Sequence, residues 1–250
     1  MRRQNSRVGR APKYHMVIPV TLGMERVLFV NWAIDPAVVA PHLPRSLSVD
    51  TFDGRAWLTA VALENVDVRP RGLPAAVGFD IPEVNFHTKV TCGGVPGIYY
   101  FSVDVGSILG TALPRLFYHA PYHYADVELQ PVDGGQRVTC RRRHPGSRPL
   151  HFDARYGPSG GELDVEPDSL AWFLTERHRF FTETLDETVY SAAIRHEQWP
   201  LRRAEATVER NRLFRANGFG EPPEGPVSYY SHGVCAEMTR CRPWWASAHA

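Results

Sequence analysis

The pattern of apolar and polar residues predicts a chain built mainly of short β-strands. Apolar runs that are rich in β-branched and aromatic residues are separated by turns that contain glycine and proline. The predicted strands cover residues 27–32, 56–63, 84–92, 97–105, 125–130, 137–143, 150–156, 191–195 and 234–238. The sequence Asp133-Gly134-Gly135 is typical of a hairpin turn between two of these strands.

Three segments predict helices. Asp35 and Pro36 are typical of a helix start, and this short helix ends before Pro44. A second short helix is predicted over residues 111–117. The clearest helical pattern covers residues 170–182, where apolar residues recur at helical spacing. Strands followed by one clear helix and then further strands predict an α+β fold that is mainly β.

The distribution of charge predicts an arm followed by one domain. Of the 250 residues, 43% are hydrophobic and 22% are charged, which is enough apolar material for a large core. The first acidic residue is Glu25, and basic residues precede it. We therefore expect a basic, flexible arm over residues 1–24 and a single domain over residues 25–250. The arm is interpreted either as a solvated tail or as a contact to an anionic partner.

Several classes of function are disfavoured by composition. The formal net charge is +1, so no nucleic-acid surface is expected. No stretch of about 18 apolar residues predicts a membrane helix, and no signal peptide is recognised. The four cysteines form no Cys-x-x-Cys pair, which favours a reduced, cytoplasmic protein. No phosphate-binding glycine loop and no three-ligand cluster on one element is found, so neither a cofactor nor a metal is predicted.

One predicted strand carries four polar residues on one face. Because side chains on a strand alternate, Glu83, Asn85, His87 and Lys89 share a face, and the other face is apolar. On an open sheet the polar face would meet water. On a closed sheet the same face would line the interior, and an acid, an amide, an imidazole and an amine would form a candidate acid/base site.

A second group of polar residues follows the predicted helix 111–117. Arg115 is followed by two histidines and two tyrosines, which supply several groups that can donate or accept a proton: His119, Tyr122, His123 and Tyr124. His119 and His123 have the spacing of metal ligands on a helix, but Pro121 between them disfavours a regular helix. A tyrosine-rich surface turn is the alternative interpretation of this segment.

Motifs over residues 29–244 resemble those of the YqjF-like family, a large bacterial group within the acetoacetate-decarboxylase-like superfamily. The matching segments are 35–37 (DPA), 50–57 (DTFDGRAW), 82–85 (PEVN), 96–104 (PGIYYFSVD), 174–177 (LTER) and 199–201 (WPL), together with Arg115, Pro121, Tyr122, Ala125 and His196. The resemblance implies a curved, closed β-barrel with an internal cavity and a few short helices. It also implies a homodimer as the default assembly, since members of the superfamily often assemble.

The resemblance also implies where the chain departs from the decarboxylases. In those enzymes a cavity lysine forms a Schiff base, and a second lysine lowers its pKa. The glutamate of that cavity matches Glu83, whereas the two lysine positions fall on Tyr122 and His123. The whole chain has two lysines, Lys13 and Lys89, and neither stands at a matching position.

Two functions from different classes follow from this comparison. In the first, the chain is an enzyme that acts on a carbonyl or keto-acid-type compound by general acid/base chemistry, with Glu83, Tyr122, His123 and His87 as catalytic residues. The substrate-binding residues are then expected to be Asn85, Lys89, Tyr100, Arg115 and His119. In the second, the same cavity binds a small organic ligand and does no chemistry. Schiff-base chemistry through Lys89 is a further alternative.

Overall fold

The computed structural model describes residues 19–247, and more than half of them lie in β-strands. All strands predicted from the sequence are present, and several are longer than expected. The strands of this part of the chain are β1 (Val20–Ile34), β2 (Ser48–Val49), β3 (Ala56–Pro70), β4 (Phe79–Cys92), β5 (Val95–Val105), β6 (Tyr122–Val132), β7 (Gly135–Arg142), β8 (His151–Glu162), β9 (Arg179–Glu183), β10 (Val189–His196), β11 (Leu201–Asn211), β12 (Val227–Met238) and β13 (Arg242–Pro243).

The helices are short, and three of them begin at residues whose side chains cap the helix: Asp35, Ser107 and Ser169. They are α1 (Pro36–Val39), α2 (Ile108–Tyr118), α3 (Leu170–Thr175), α4 (Leu213–Ala216) and α5 (Trp244–Ser247). The Asp35 carboxylate accepts a hydrogen bond from the Ala37 N–H at 2.8 Å, as expected for a helix start. The Ser107 hydroxyl accepts one from the Gly110 N–H at 3.0 Å and begins α2. Among residues 19–247, no helix is long and apolar enough to cross a membrane.

Two predicted boundaries are wrong. The helix predicted over residues 170–182 ends at Thr175, because Phe180 and Phe181 belong to β9 and pair in parallel with β5. Both phenylalanine side chains are buried, which a strand between two neighbours achieves and a surface helix does not. The predicted arm also ends too late, because residues 20–24 pair with β12 as part of β1. Residues 1–18 lie outside the described part of the chain.

The order of strand pairing brings distant segments together. Strand β5 pairs with β4, β6 and β9. From β5 the pairings run through β6, β7, β8, β11, β12, β1, β3 and β4, and they return to β5. Strands β9 and β10 join β5 to β12 by a second route. The two routes share β12, β1, β3, β4 and β5, and β4, which lies within this shared part, is buried along most of its length.

The two faces of β4 have different roles. Val84 and Phe86 enter the largest apolar core, where Phe86 contacts Phe214 edge-on with ring centroids 5.6 Å apart. Burying such side chains supplies the main driving force for folding. The alternate residues, beginning with Glu83 and Asn85, face the opposite side, where the candidate site lies.

Candidate active site

A cavity of about 350 Å³ lies on the polar side of β4. Its volume lies within the range of small-molecule sites in proteins. The wall is formed mainly by β1, β3, β4, β5 and α2, and apolar side chains cover most of it. The apolar lining includes Leu63, Ile81, Val105, Phe180, Ile194 and Met238. An apolar wall of this kind excludes water and strengthens any electrostatic contact made inside it.

The exposure of the lining residues defines an outer and an inner end. Phe79, at the start of β4, and Leu109 and Leu113, on α2, are exposed members of the wall. Glu83 and Asn85 belong to the same wall and are buried. The cavity therefore opens beside α2 and ends at the polar groups of β4.

The Glu83 carboxylate is held at this inner end by two amide groups. Asn85 Nδ2 donates to Glu83 Oε1 at 2.8 Å, and Asn65 Nδ2 donates to Glu83 Oε2 at 3.1 Å. Burial raises the pKa of Glu83, while the two amide hydrogen bonds oppose part of this effect. A carboxyl group with a raised pKa can both accept and return a proton near neutral pH.

A chain of buried hydrogen bonds continues from Asn85 along β4. His87 Nδ1 lies 2.9 Å from Asn85 Oδ1, and Lys89 Nζ lies 3.3 Å from His87 Nε2. Because Asn85 Nδ2 donates to Glu83, Asn85 Oδ1 faces His87 and can only accept, so His87 Nδ1 carries the imidazole proton and Nε2 accepts from Lys89. Every donor between Lys89 and Glu83 thus points towards the carboxylate. This arrangement fixes the amide of Asn85 with its NH₂ group on Glu83.

The same chain is anchored at its other end on β3 and β1. Lys89 donates to Thr59 Oγ1, and Thr59 donates to Asn31 Oδ1 at 2.8 Å. Asn31 Nδ2 donates to the Val227 carbonyl at 3.0 Å. Asn31, Thr59 and Lys89 are fully buried. The hydrogen bonds therefore satisfy polar groups that would otherwise be costly to bury.

Burial also governs the charge of His87 and Lys89. It lowers the pKa of His87 well below the ordinary value, and the nearby Lys89 adds to this effect. It lowers the pKa of Lys89 well below its ordinary value, and the charge of Arg177 acts in the same direction. Both groups lie behind Asn85 and do not form part of the cavity wall. In this position they orient Asn85 and Glu83 and do not meet a ligand directly.

Two tyrosines complete the polar part of the cavity wall. Tyr100 of β5 and Tyr122 of β6 line it together with Glu83. Burial raises the pKa of both phenols, and the charge of Glu83 adds to the effect. The phenols therefore stay protonated and can donate a hydrogen bond to an oxygen in the cavity. A proton acceptor and two hydrogen-bond donors in one apolar cavity can stabilise an enolate-like intermediate.

Besides His87 and Lys89, the predicted site residues His123, Arg115 and His119 also lie outside the wall of this cavity. His123 follows Tyr122 on β6 and lies outside the wall, because neighbouring residues of a strand face opposite sides. Its ring contacts His144 edge-on at 5.3 Å. Burial lowers the pKa of His123 to about 3, and the charge of Arg142 contributes. His123 is thus placed as a neutral side chain beside a structural ion pair.

Arg115 and His119 line a second, more open cavity of about 1050 Å³. Arg115 Nη1 donates to the Tyr122 carbonyl at 2.8 Å and lies 3.3 Å from His144 Nε2. Arg115 therefore holds the start of β6, and it does not reach the cavity that contains Glu83. His119 ends α2 with a left-handed backbone, φ 53°, and its ring packs on Tyr190 at 4.8 Å.

Several residues of the site were not predicted from the sequence. Asn65 lies just beyond the predicted strand 56–63, and Thr59 and Asn31 stand within apolar runs. Their contribution depends on the pairing of β3 with β1 and β4, which places Thr59 opposite both Asn31 and His87. A polar residue within an apolar strand was the one available signal, and it does not identify the partner.

Solved structures with the same fold include enzymes. The enduracididine biosynthesis enzyme MppR complexed with pyruvate has a TM-score of 0.64 and 14% identity, over 92% of each chain. An acetoacetate decarboxylase-like enzyme from Sphingomonas wittichii RW1 has a TM-score of 0.61 and 15% identity, over 93% of this chain and 98% of that one. Acetoacetate decarboxylase from Legionella pneumophila has a TM-score of 0.59 and 14% identity, over 95% and 92%. The TM-scores establish a shared fold, and at identities this low the comparison establishes the fold alone.

The sequence comparisons are more specific. The chain is 34% identical over 219 residues to the uncharacterized protein YqjF of Bacillus subtilis (strain 168), covering 87% of this chain and 89% of YqjF. The family model DUF2071, described as an uncharacterized conserved protein, matches residues 21–235. The resemblance expected from the motifs is therefore confirmed, and the chain belongs to the DUF2071 family, with an acetoacetate decarboxylase-like, mainly β fold.

Proposed function

We propose that this protein is an enzyme that moves protons on a small carbonyl compound by general acid/base catalysis, without a Schiff-base lysine. The observation that carries the proposal is the position of Glu83, a buried carboxyl group with a raised pKa at the inner end of an apolar cavity. We interpret the ring of strand pairings that is closed by β9 and β10 as a closed β-barrel, with this cavity as its interior.

The proposed step begins with Glu83 as the base. Its carboxylate removes a proton from the carbon next to the carbonyl group, and the C–H electron pair becomes the enolate. Tyr122 donates a hydrogen bond to the oxygen on which negative charge develops. Return of the proton from Glu83 to another carbon or to the oxygen gives an isomer. In a dehydration, the hydroxyl group on the carbon beyond the α-carbon takes the proton from Glu83 and leaves as water, and the enolate electron pair forms the new C=C bond. Cyclisation can begin from the same enolate.

The wall of the cavity selects the substrate class. Apolar side chains outnumber polar ones, so the part of the substrate away from the carbonyl group is expected to be apolar or aromatic. Arg69 also lines the cavity, but it pairs with Asp67 and donates to the Leu73 carbonyl at 3.0 Å. A carbonyl group is therefore favoured over a free carboxylate as the main recognition element. The pyruvate complex of MppR is consistent with a keto compound in this fold.

An imine mechanism is disfavoured by the placement of Lys89. The side chain of Lys89 is fully buried, its nitrogen donates to Thr59 and His87, and the residue lies outside the cavity wall. Reduction with borohydride in the presence of a carbonyl compound tests this point. We expect no increase in protein mass, and a covalent adduct on Lys89 would overturn the imine-free mechanism.

Deuterium exchange tests the proposed function without knowledge of the natural substrate. A panel of apolar ketones and 2-keto acids is incubated with the protein in D₂O, and loss of the α-proton signal is followed by NMR. Catalysed exchange is expected for at least one compound, and Glu83→Gln should slow it by roughly 10²–10⁴-fold. Glu221→Gln, a change at an exposed glutamate, is the matched control and should leave the rate unchanged.

The alternative function is a non-catalytic protein that binds a small organic ligand in the same cavity. Saturable binding of panel compounds without any α-proton exchange would favour this alternative. Equal exchange rates for the wild type and the Glu83→Gln variant would contradict the role of Glu83.

The homodimer that the resemblance implies stays a prediction.

A further inference from the structure

A group of metal-ligating side chains lies outside the cavity, where α3 meets β9 and β10 ends. Glu176 and His178 lie in the connection between α3 and β9, and His196 is the last residue of β10. One ligand atom from each of the three residues lies within 4.8 Å of the other two. The sequence predicts no metal, because no single element carries three ligands. In the fold, two separate segments supply the three candidate ligands.

The distances within this group suit a single ion. Glu176 Oε2 lies 3.6 Å from His178 Nε2, and the rings of His178 and His196 have centroids 4.5 Å apart. Ligand atoms that bind one Zn²⁺ at about 2.0–2.2 Å lie slightly closer together than Glu176 Oε2 and His178 Nε2 do here. Small side-chain rotations would therefore bring all three ligand atoms onto one ion.

The surrounding contacts orient two of the ligands. His196 Nδ1 lies 2.7 Å from the Glu197 carbonyl, so Nδ1 carries the proton and the lone pair of Nε2 is free. Glu176 Oε1 accepts a hydrogen bond from the Trp199 N–H at 3.0 Å, which leaves Oε2 directed towards His178. Hydrogen bonds of this type are the ones that hold histidine and carboxylate ligands at metal centres.

Burial distinguishes this group from an ordinary surface cluster. The side chain of Glu176 is 1% exposed, whereas that of His178 is 46% exposed. A buried carboxylate needs a positive partner, and a divalent ion meets this need while also binding both imidazoles. The exposed side of the group leaves room for water as a further ligand.

We propose that Glu176, His178 and His196 bind one divalent transition-metal ion of the Zn²⁺ class. The ion would tie the end of α3 to the end of β10. His196 and the cavity-lining Ile194 lie two residues apart on β10 and therefore face the same side. The proposal does not depend on the proposed catalytic function.

The test is zinc binding by the full chain, after removal of any affinity tag and dialysis against a chelator. We expect one Zn²⁺ per chain by elemental analysis, and Co²⁺ in its place should give visible d–d absorption bands. The variants His178→Ala and His196→Ala should each weaken zinc binding by at least 10-fold. His178 is exposed, so its replacement is expected to leave folding intact.

Two controls separate this site from adventitious binding. The His15→Ala/His249→Ala double variant removes histidines outside the described residues, and His232→Ala removes an exposed one. All of these proteins should bind zinc like the wild type. The proposal is overturned if the wild type shows no saturable binding of Zn²⁺ or Co²⁺, or if the His178→Ala and His196→Ala variants bind zinc as tightly as the controls.

Discussion

Replacing Lys89 by methionine tests the buried hydrogen-bond chain behind Glu83. Lys89 is fully buried, and its amine donates to Thr59 and His87. Methionine has a similar length and carries no ionisable group. The substitution removes two hydrogen bonds, each with a net contribution of about 1 kcal/mol. It also removes the cost of burying an amine that is charged in the unfolded chain.

The pH dependence follows from the lowered pKa of Lys89. In the unfolded chain the amine keeps its proton up to about 10.5, whereas in the folded protein it loses the proton at a lower pH. Between these two pKa values the unfolded state binds more protons, so the wild-type free energy of unfolding rises with pH. The contribution of Lys89 approaches about 1.4 kcal/mol per pH unit. The Lys89→Met variant lacks this contribution.

Urea unfolding from about pH 7 to about pH 9.5 measures this difference. The free energy of unfolding of the Lys89→Met variant, relative to that of the wild type, should be highest at the low end and decrease as the pH rises. Lys13→Met, a change at the other lysine of the chain, should run parallel to the wild type. If the difference in free energy of unfolding between Lys89→Met and the wild type is constant over this pH range, Lys89 does not lose its proton on folding.

Three further substitutions test the packing around the site. Arg142 donates two hydrogen bonds to the fully buried Asp104 carboxylate, from Nε at 2.6 Å and from Nη2 at 2.7 Å. Arg142→Met leaves this carboxylate unpaired and should lower the free energy of unfolding in urea by about 3–5 kcal/mol. Adding Asp104→Asn to this variant should restore part of the loss. Phe86→Ala should cost about 3–5 kcal/mol by the same measurement, and a loss below about 1 kcal/mol would contradict its place in the core. Gly97→Ala would place a Cβ atom 2.7 Å from Phe181, so the β9 amides should exchange hydrogen faster; unchanged exchange would argue against this contact.

The sequence predicted local elements well where a strand or a turn has its own signal. The alternation along β4 placed Glu83, Asn85, His87 and Lys89 on one face, and the structure confirms it. The pattern could not show whether that face meets water or the interior. The answer depends on the pairing of β5 with β4, β6 and β9, which joins segments far apart in the sequence.

The errors have different origins. The apolar spacing of residues 170–182 suits a helix, but pairing with β5 recruits Phe180 and Phe181 into a strand. Strand β11 was not predicted, because it has no run of apolar residues: charged, exposed residues are interspersed with small, half-buried ones. His123 was expected beside Tyr122 in the cavity, although adjacent strand residues face opposite sides. Long-range pairing thus overrides local preference in residues 180–181, whereas the position of His123 follows from strand alternation alone.

The titration of Glu83 is the most direct test of its proposed role as the proton carrier in the cavity. The side-chain carboxyl carbons of glutamate are labelled with ¹³C, and the Glu83 signal is identified by its absence from the Glu83→Gln variant. We expect a midpoint above the ordinary value of 4.5, because burial raises the pKa of this carboxyl group. A Glu83 signal that titrates at or below 4.5 would contradict a proton-carrying role in the cavity.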